Sequence, residues 1–279
     1  MGETGPHPDP CPLPIGVFDS GIGGLTVLQA LMQHLPGERF VYLGDTARLP
    51  YGTKSATSVT RYALQTTALL RQRGVKLLVI ACNTATAVSL DALETAYPDL
   101  PVVGVIRPGA LAACEASRSG KIGVIGTEST ILGGSYEREI LRIRPQAQVF
   151  GRPCPLFVPL AEEGWCSGPI AQAVAERYVG TLHAETGIDT LVLGCTHFPL
   201  LRQAIQDAVG PAVRLVDSAQ TTAEFVHALL VEHKICAAAQ NFVNQVSFLA
   251  TDGSERFARI GALFMGRPMS SQDVEIVDL

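Results

Sequence analysis

At 279 residues, 47% hydrophobic and 17% charged, the chain is long enough for one large or two small domains with substantial cores. A net charge of −5 without a basic stripe argues against a nucleic-acid surface. No apolar segment approaches the length of a membrane span, so no membrane association is expected.

The first fourteen residues hold five prolines and no apolar h-region, which predicts a disordered or extended lead-in over residues 1–13 and no signal peptide. Seven cysteines, none in CxxC or CxxxC spacing, predict reduced thiols in a cytoplasmic protein. Cys195 and His197 are one short pair, and the remaining cysteines and histidines are scattered without metal-ligand spacing.

The first predicted strand covers residues 13–18 and runs into Asp19, Ser20 and glycines at 21, 23 and 24. That spacing is not G-x-G-x-x-G, so the turn is a weak dinucleotide signal. Asp19 and Ser20 are either ordinary turn residues or groups projecting from the strand end into a cleft. A second strand, 38–43, leads to a turn at Pro50, Tyr51 and Gly52, whose N–H groups and tyrosine ring suit a carboxylate. A helix is expected over 55–73, and the hydroxyl-rich loop-to-helix stretch that holds Lys54 just before it does not resemble a pyridoxal pocket.

Residues 77–81 are an apolar run ending at Cys82, with Asn83 and Thr84 as expected N-caps of the next helix. A cysteine there sits at the carboxyl end of a parallel strand and beside a helix N-terminus, where ligands bind and a thiolate is favoured. A short strand, 102–106, and a break at residues 107–110 end the first series. The second has a strand over 121–126 ending in Thr127 and Thr130, a loop over 153–164 carrying Glu162 and Glu163, and a helix over 169–187. Its strand at 190–194 then repeats the earlier pattern, running into Cys195, Thr196 and His197. The tail, with a strand over 246–250 and a helix over 254–264, is expected to complete the first sheet.

A lone strand-end cysteine is usually packing. Two in the same setting suggest a redox pair, a metal site or two proton-transfer groups. Redox pairs usually lie close in sequence, and a metal wants more ligands. Two thiols on opposite faces of a substrate carbon suit a racemase, because one removes a proton as thiolate and the other returns one as thiol. Ser20, Asn83, Thr84, Thr127, Thr130, Thr196 and the turn at Pro50–Gly52 are candidate donors to substrate carboxylates. Asp19, Glu162 and His197 are candidates for adjusting the thiols, although each also has an ordinary reading as a turn residue, a solvated carboxylate or a helix cap.

These residues carry a resemblance. Residues 18–27, 44–52, 81–85, 122–127 and 194–200 resemble, in order, the motifs of the glutamate racemase family, within the cofactor-independent aspartate/glutamate racemases. The resemblance runs from Ile15 to about Ala219. It implies that Cys82 is the base for D-glutamate and Cys195 the base for L-glutamate, with Asp19 and His197 assisting them and Glu162 near the second thiol. It also implies no cofactor and a product, D-glutamate, destined for peptidoglycan. Arg107 departs from the family's usual acidic residue before Pro108 and Gly109.

The expectation is therefore an α/β protein of two similar doubly wound parallel-sheet domains, with the active site in the cleft between them. The first domain takes residues 14–106 plus 217–279 and the second 107–216. Substrate contacts are expected from Asp19, Ser20, Pro50, Tyr51, Gly52, Cys82, Asn83, Thr84, Thr127, Thr130, Cys195, Thr196 and His197. Glutamate is the expected partner, a homodimer is an admissible assembly, and no metal is called for. Aspartate racemisation on the same fold and a non-catalytic amino-acid-binding or partner-inhibiting protein are the rival readings.

Overall fold

Short apolar runs closed by small polar residues become parallel strands in a computed structural model that describes residues 12–237 and 245–279. The predicted lead-in thus falls largely outside the described residues. One sheet contains β1 (Ile15–Asp19), β2 (Phe40–Gly44), β3 (Leu77–Ile80), β4 (Val102–Gly104), β9 (Val246–Ala250) and β10 (Val274–Ile276). The other contains β5 (Lys121–Gly126), β6 (Gln148–Pro153), β7 (Thr190–Gly194) and β8 (Arg214–Asp217). Every strand pairing is parallel, and helices connect the strands, giving two parallel-sheet α/β domains.

The first sheet runs β10-β9-β2-β1-β3-β4 and the second β6-β5-β7-β8. Numbered within its own series, each holds the order 2-1-3-4. The chain leaves β1 toward β2 on one side and later returns to β3 on the other, and it does the same around β5. These are the topological switch points at which open α/β sheets leave a crevice for ligands. Register fixes what lies there. Phe18 pairs with Ile80, so Asp19 and Ser20 emerge beside Cys82. Gly126 pairs with Gly194, so Thr127 emerges beside Cys195.

Beyond shifts of one or two residues at strand ends, three expectations change. Helix 106–116 begins at Ile106, so β4 is shorter than expected and Arg107 to Ala110 are helical, not a connecting break. The expected loop over 153–164 contains a helix, Phe157–Glu162. Both helices carry a proline in their first turn, Pro108 and Pro159, where an N–H has no intrahelical partner to lose. The helix expected over 169–187 is interrupted by a π-helical stretch, Glu176–Gly180.

The two sheets are bound to each other by packing and hydrogen bonds. Helix Leu25–His34 packs against helix Ser218–Glu232. The Thr26 hydroxyl lies 3.0 Å from the carbonyl oxygen of Thr196, and the Tyr136 hydroxyl donates to Asn83 Oδ1 at 2.8 Å. No helix among the described residues is long and apolar enough to cross a membrane.

Candidate active site

Cys82 is itself the N-cap of helix Asn83–Ala96, correcting the expectation that Asn83 or Thr84 would cap it. Its Sγ accepts the Ala85 N–H at 3.4 Å, the bond a serine cap would make. Asn83 and Thr84 are thereby released as the first helical residues, with side chains at the crevice. The Cys82 thiol also donates to Ser20 Oγ at 3.5 Å. Burial, then the negative charge of Asp19, pushes this thiol up to about 12, against the opposing pull of Ser20 and the Ala85 N–H. At neutral pH Cys82 therefore rests as a thiol.

Asp19 is fully buried at the end of β1, where its Oδ2 accepts the Gly21 N–H at 3.0 Å. Its Oδ1 has no hydrogen-bond partner among the described residues. Burial raises its pKa, while the charge of His197 and the N–H groups of Gly24, Gly21 and Ser20 oppose that rise.

The second thiol has a different companion. Cys195 Sγ lies 3.8 Å from His197 Nδ1, and His197 Nε2 lies 3.2 Å from Glu162 Oε1. Burial alone would lower the histidine. The hydrogen bonds and negative charges of Cys195 and Glu162 prevail and raise it to about 10. For Glu162, burial is opposed by His197, Arg256 and Arg259, and the net direction is down. The Phe264 ring meets the His197 ring edge-on at 5.2 Å. His197 thus sits between the Cys195 sulfur and the Glu162 carboxylate.

This arrangement carries a stability prediction. A folded-state pKa of about 10, above the ordinary 6.5, gives a contribution fully present below 6.5 and lost as pH rises through about 10. In urea titrations, the stability gap between the protein and its His197→Gln variant should close across that range. A gap that stays constant across it contradicts the assignment.

Both thiols line one cavity of about 270 Å³, just under the roughly 300–1,000 Å³ usual for small-molecule sites. Of the candidates from sequence, Ser20, Pro50, Tyr51, Gly52, Cys82, Asn83, Thr84, Thr127, Cys195, Thr196 and His197 are on its wall. Asp19, Thr130 and Glu162 stand behind it. Thr84, Thr127 and Thr130 form a triangle of hydroxyls with sides of 2.9, 3.0 and 3.3 Å across the two sheets. Asn83 Nδ2 is buried without a partner among the described residues, leaving a donor for a ligand. The Tyr51 hydroxyl is taken by Asp45, so this residue offers its ring to the cavity.

Thr53, Glu128, Pro155, Val158 and Pro159 also line the cavity and were not anticipated. Thr53 and Glu128 directly follow anticipated residues, and that adjacency was the available signal. The other three belong to the stretch read as a loop. Among the described residues, no group of three or more His, Cys, Asp or Glu is placed to hold a metal ion.

Two switch-point crevices face one small cavity in this α/β protein, and each supplies a strand-end cysteine to its wall. The family model for Asp/Glu/hydantoin racemases matches residues 15–226, and the chain belongs to that family. A glutamate racemase of Geobacter metallireducens is 50% identical over 252 residues, covering 90% of this chain and 92% of that protein. The structure of a glutamate racemase from Francisella tularensis in complex with D-glutamate matches with a TM-score of 0.88 and 36% identity, covering 96% and 98% of the two chains. That of the Escherichia coli glutamate racemase in complex with L-glutamate and the activator UDP-MurNAc-ala matches with a TM-score of 0.73 and 30% identity, covering 91% and 96%. Within the family, this chain sits among the glutamate racemases, which are isomerases.

Proposed function

We propose that the chain interconverts L- and D-glutamate by proton transfer between two thiols, without a cofactor. The observation that carries this reading is the single cavity lined by Cys82 from one sheet and Cys195 from the other. The relatives' complexes with D-glutamate and with L-glutamate support the choice of substrate. In the L-to-D direction, the Cys195 thiolate takes the α-proton, the C–H electron pair stays on carbon, and the Cys82 thiol delivers a proton from the other face. The reverse direction exchanges these states. His197, held by Glu162, adjusts the protonation of Cys195, and Asp19 does so for Cys82. Asn83 Nδ2 and the hydroxyls of Ser20, Thr84, Thr127 and Thr196 serve the substrate carboxylates, with Thr130 orienting Thr84 and Thr127. The Pro50–Gly52 turn completes the wall.

The domains in this reading are residues 14–106 plus 217–279 and residues 107–216, with the substrate between them. The physiological role is supply of D-glutamate to peptidoglycan in the cytoplasm.

The test is a racemisation assay by loss of optical rotation after exhaustive dialysis, with chelator or hydroxylamine present. L-Glutamate should racemise at an undiminished rate under each treatment, and L-aspartate far more slowly. Activity lost to chelator and restored by a metal would overturn the cofactor-free mechanism. A preference for aspartate would overturn the substrate, and binding without any change in rotation would overturn catalysis.

A further inference from the structure

The thiol–histidine–carboxylate chain has a fourth member that comes from a distant part of the sequence. Helix Ser254–Met265 follows β9 in the first sheet and reaches across to the second. In its first turn, Arg256 donates from a terminal guanidinium nitrogen to Glu162 Oε2 at 2.7 Å. The opposite oxygen of the same carboxylate, Oε1, lies against His197 Nε2. Glu162 is thus gripped at both oxygens, by the histidine of one domain and the arginine of the other. Near its other end, the same helix places Phe264 edge-on against the His197 ring. Arg259, one turn after Arg256, adds a second positive charge facing Glu162.

We propose that Arg256 is a positioning residue for proton transfer at Cys195, acting through Glu162 and His197. A carboxylate free at one oxygen can rotate about its terminal torsion, which is broad and roughly two-fold. The Arg256 bond fixes that rotation so that Oε1 faces Nε2. The imidazole is then held with Nδ1 toward the thiol. Among the described residues Cys82 has no equivalent link, because its neighbours are Ser20, Asp19 and the Ala85 N–H. Arg256 therefore serves one of the two proton transfers, and its removal should leave an asymmetry that general loosening of the fold would not.

The inference rests on the proposed assignment of Cys195 to the L enantiomer, and isotope effects test the two separately. The two glutamates are mirror images with an equilibrium constant of one, so kcat/KM must fall equally in both directions in any variant. Arg256→Leu should lower it about fivefold, the scale of a half-exposed ion pair. If the Cys195 transfer has become the slower step, the primary isotope effect on kcat/KM should rise for L-glutamate deuterated at the α-carbon. It should fall for the deuterated D enantiomer, whose α-hydrogen goes to Cys82. Arg256→Lys, which keeps the charge without the planar fork, should recover most of the rate and of both isotope effects.

Unchanged kinetics in Arg256→Leu would overturn the positioning role. So would a loss of rate in which neither isotope effect moves. If the effect rises for the D enantiomer and falls for the L, Arg256 keeps its role, and the assignment of Cys195 to L-glutamate is overturned instead.

Discussion

Replacing either thiol by alanine should abolish racemisation while leaving each variant able to exchange one enantiomer. In deuterated water, Cys195→Ala should exchange the α-hydrogen of D-glutamate faster than that of L-glutamate, and Cys82→Ala should do the reverse. A general acid or base typically contributes about 10²–10⁴-fold, and here the loss should approach complete. The reason is geometric. On the Cys82 side, the charged neighbour is Asp19, which lies behind the cavity wall with one carboxylate oxygen held by the Gly21 N–H. On the Cys195 side, His197 lines the cavity but is committed to Cys195 and Glu162. Exchange should be slow, because the surviving thiol must return a solvent deuteron to the face it deprotonated. Exchange of the same enantiomer by both variants would overturn the opposed faces. Full racemisation by either would overturn the two-thiol mechanism.

The two thiols differ in their neighbours. Cys82, raised by burial and by Asp19, is a thiol and is ready to give a proton. Cys195 is paired with a histidine whose protonated form is stabilised to about pH 10. In the proposed D-to-L turnover, Cys82 must first ionise. The Ser20 and Ala85 contacts lower the cost of that step without removing it.

Much of this architecture was visible in the chain because its signals are local. The runs ending at Asp19, Cys82, Thr127 and Cys195 each show an apolar stretch stopping at small polar residues. In parallel sheets, those stops fall at the carboxyl ends, on the ligand side. What escaped was of two kinds. Prolines 108 and 159 looked like breaks because the sequence does not say whether a proline is inside a helix or in its first turn. Contacts between remote residues leave no local pattern, and only the resemblance places Glu162 near the second thiol. Glu162 meets His197 across 35 positions and Arg256 across 94. The Cys82 cap was missed for a chemical reason: thiols are weak acceptors, and Asn83 and Thr84 are the residue types usually found there.

The tightest constraint on the site is steric, and Gly23→Ala should expose it. A Cβ at Gly23 would lie 2.4 Å from Thr196 Oγ1 and 2.5 Å from both Cε1 and Nδ1 of His197. None of these atoms is the end of a long flexible chain. Thr196 is tethered through its carbonyl to the Thr26 hydroxyl, and His197 is pinned by Cys195, Glu162 and Phe264. Relief therefore has to come from parting the two sheets at the crevice or from turning the imidazole away from the thiol. Either change moves Cys195's partner, and a misplacement of about 1 Å can cost roughly 10²-fold in rate. Overpacking of this kind should lower stability by only about 1–3 kcal/mol, so the variant should remain folded. Gly21→Ala is the control within the same turn. Its Cβ would meet Leu49 Cδ2 at 3.2 Å, a side-chain end that can give, so its rate loss should be far smaller. Steady-state turnover and thermal melting of the two variants are the measurements that decide. Equal activity in both would mean that His197 tolerates displacement and that Cys195 works without it.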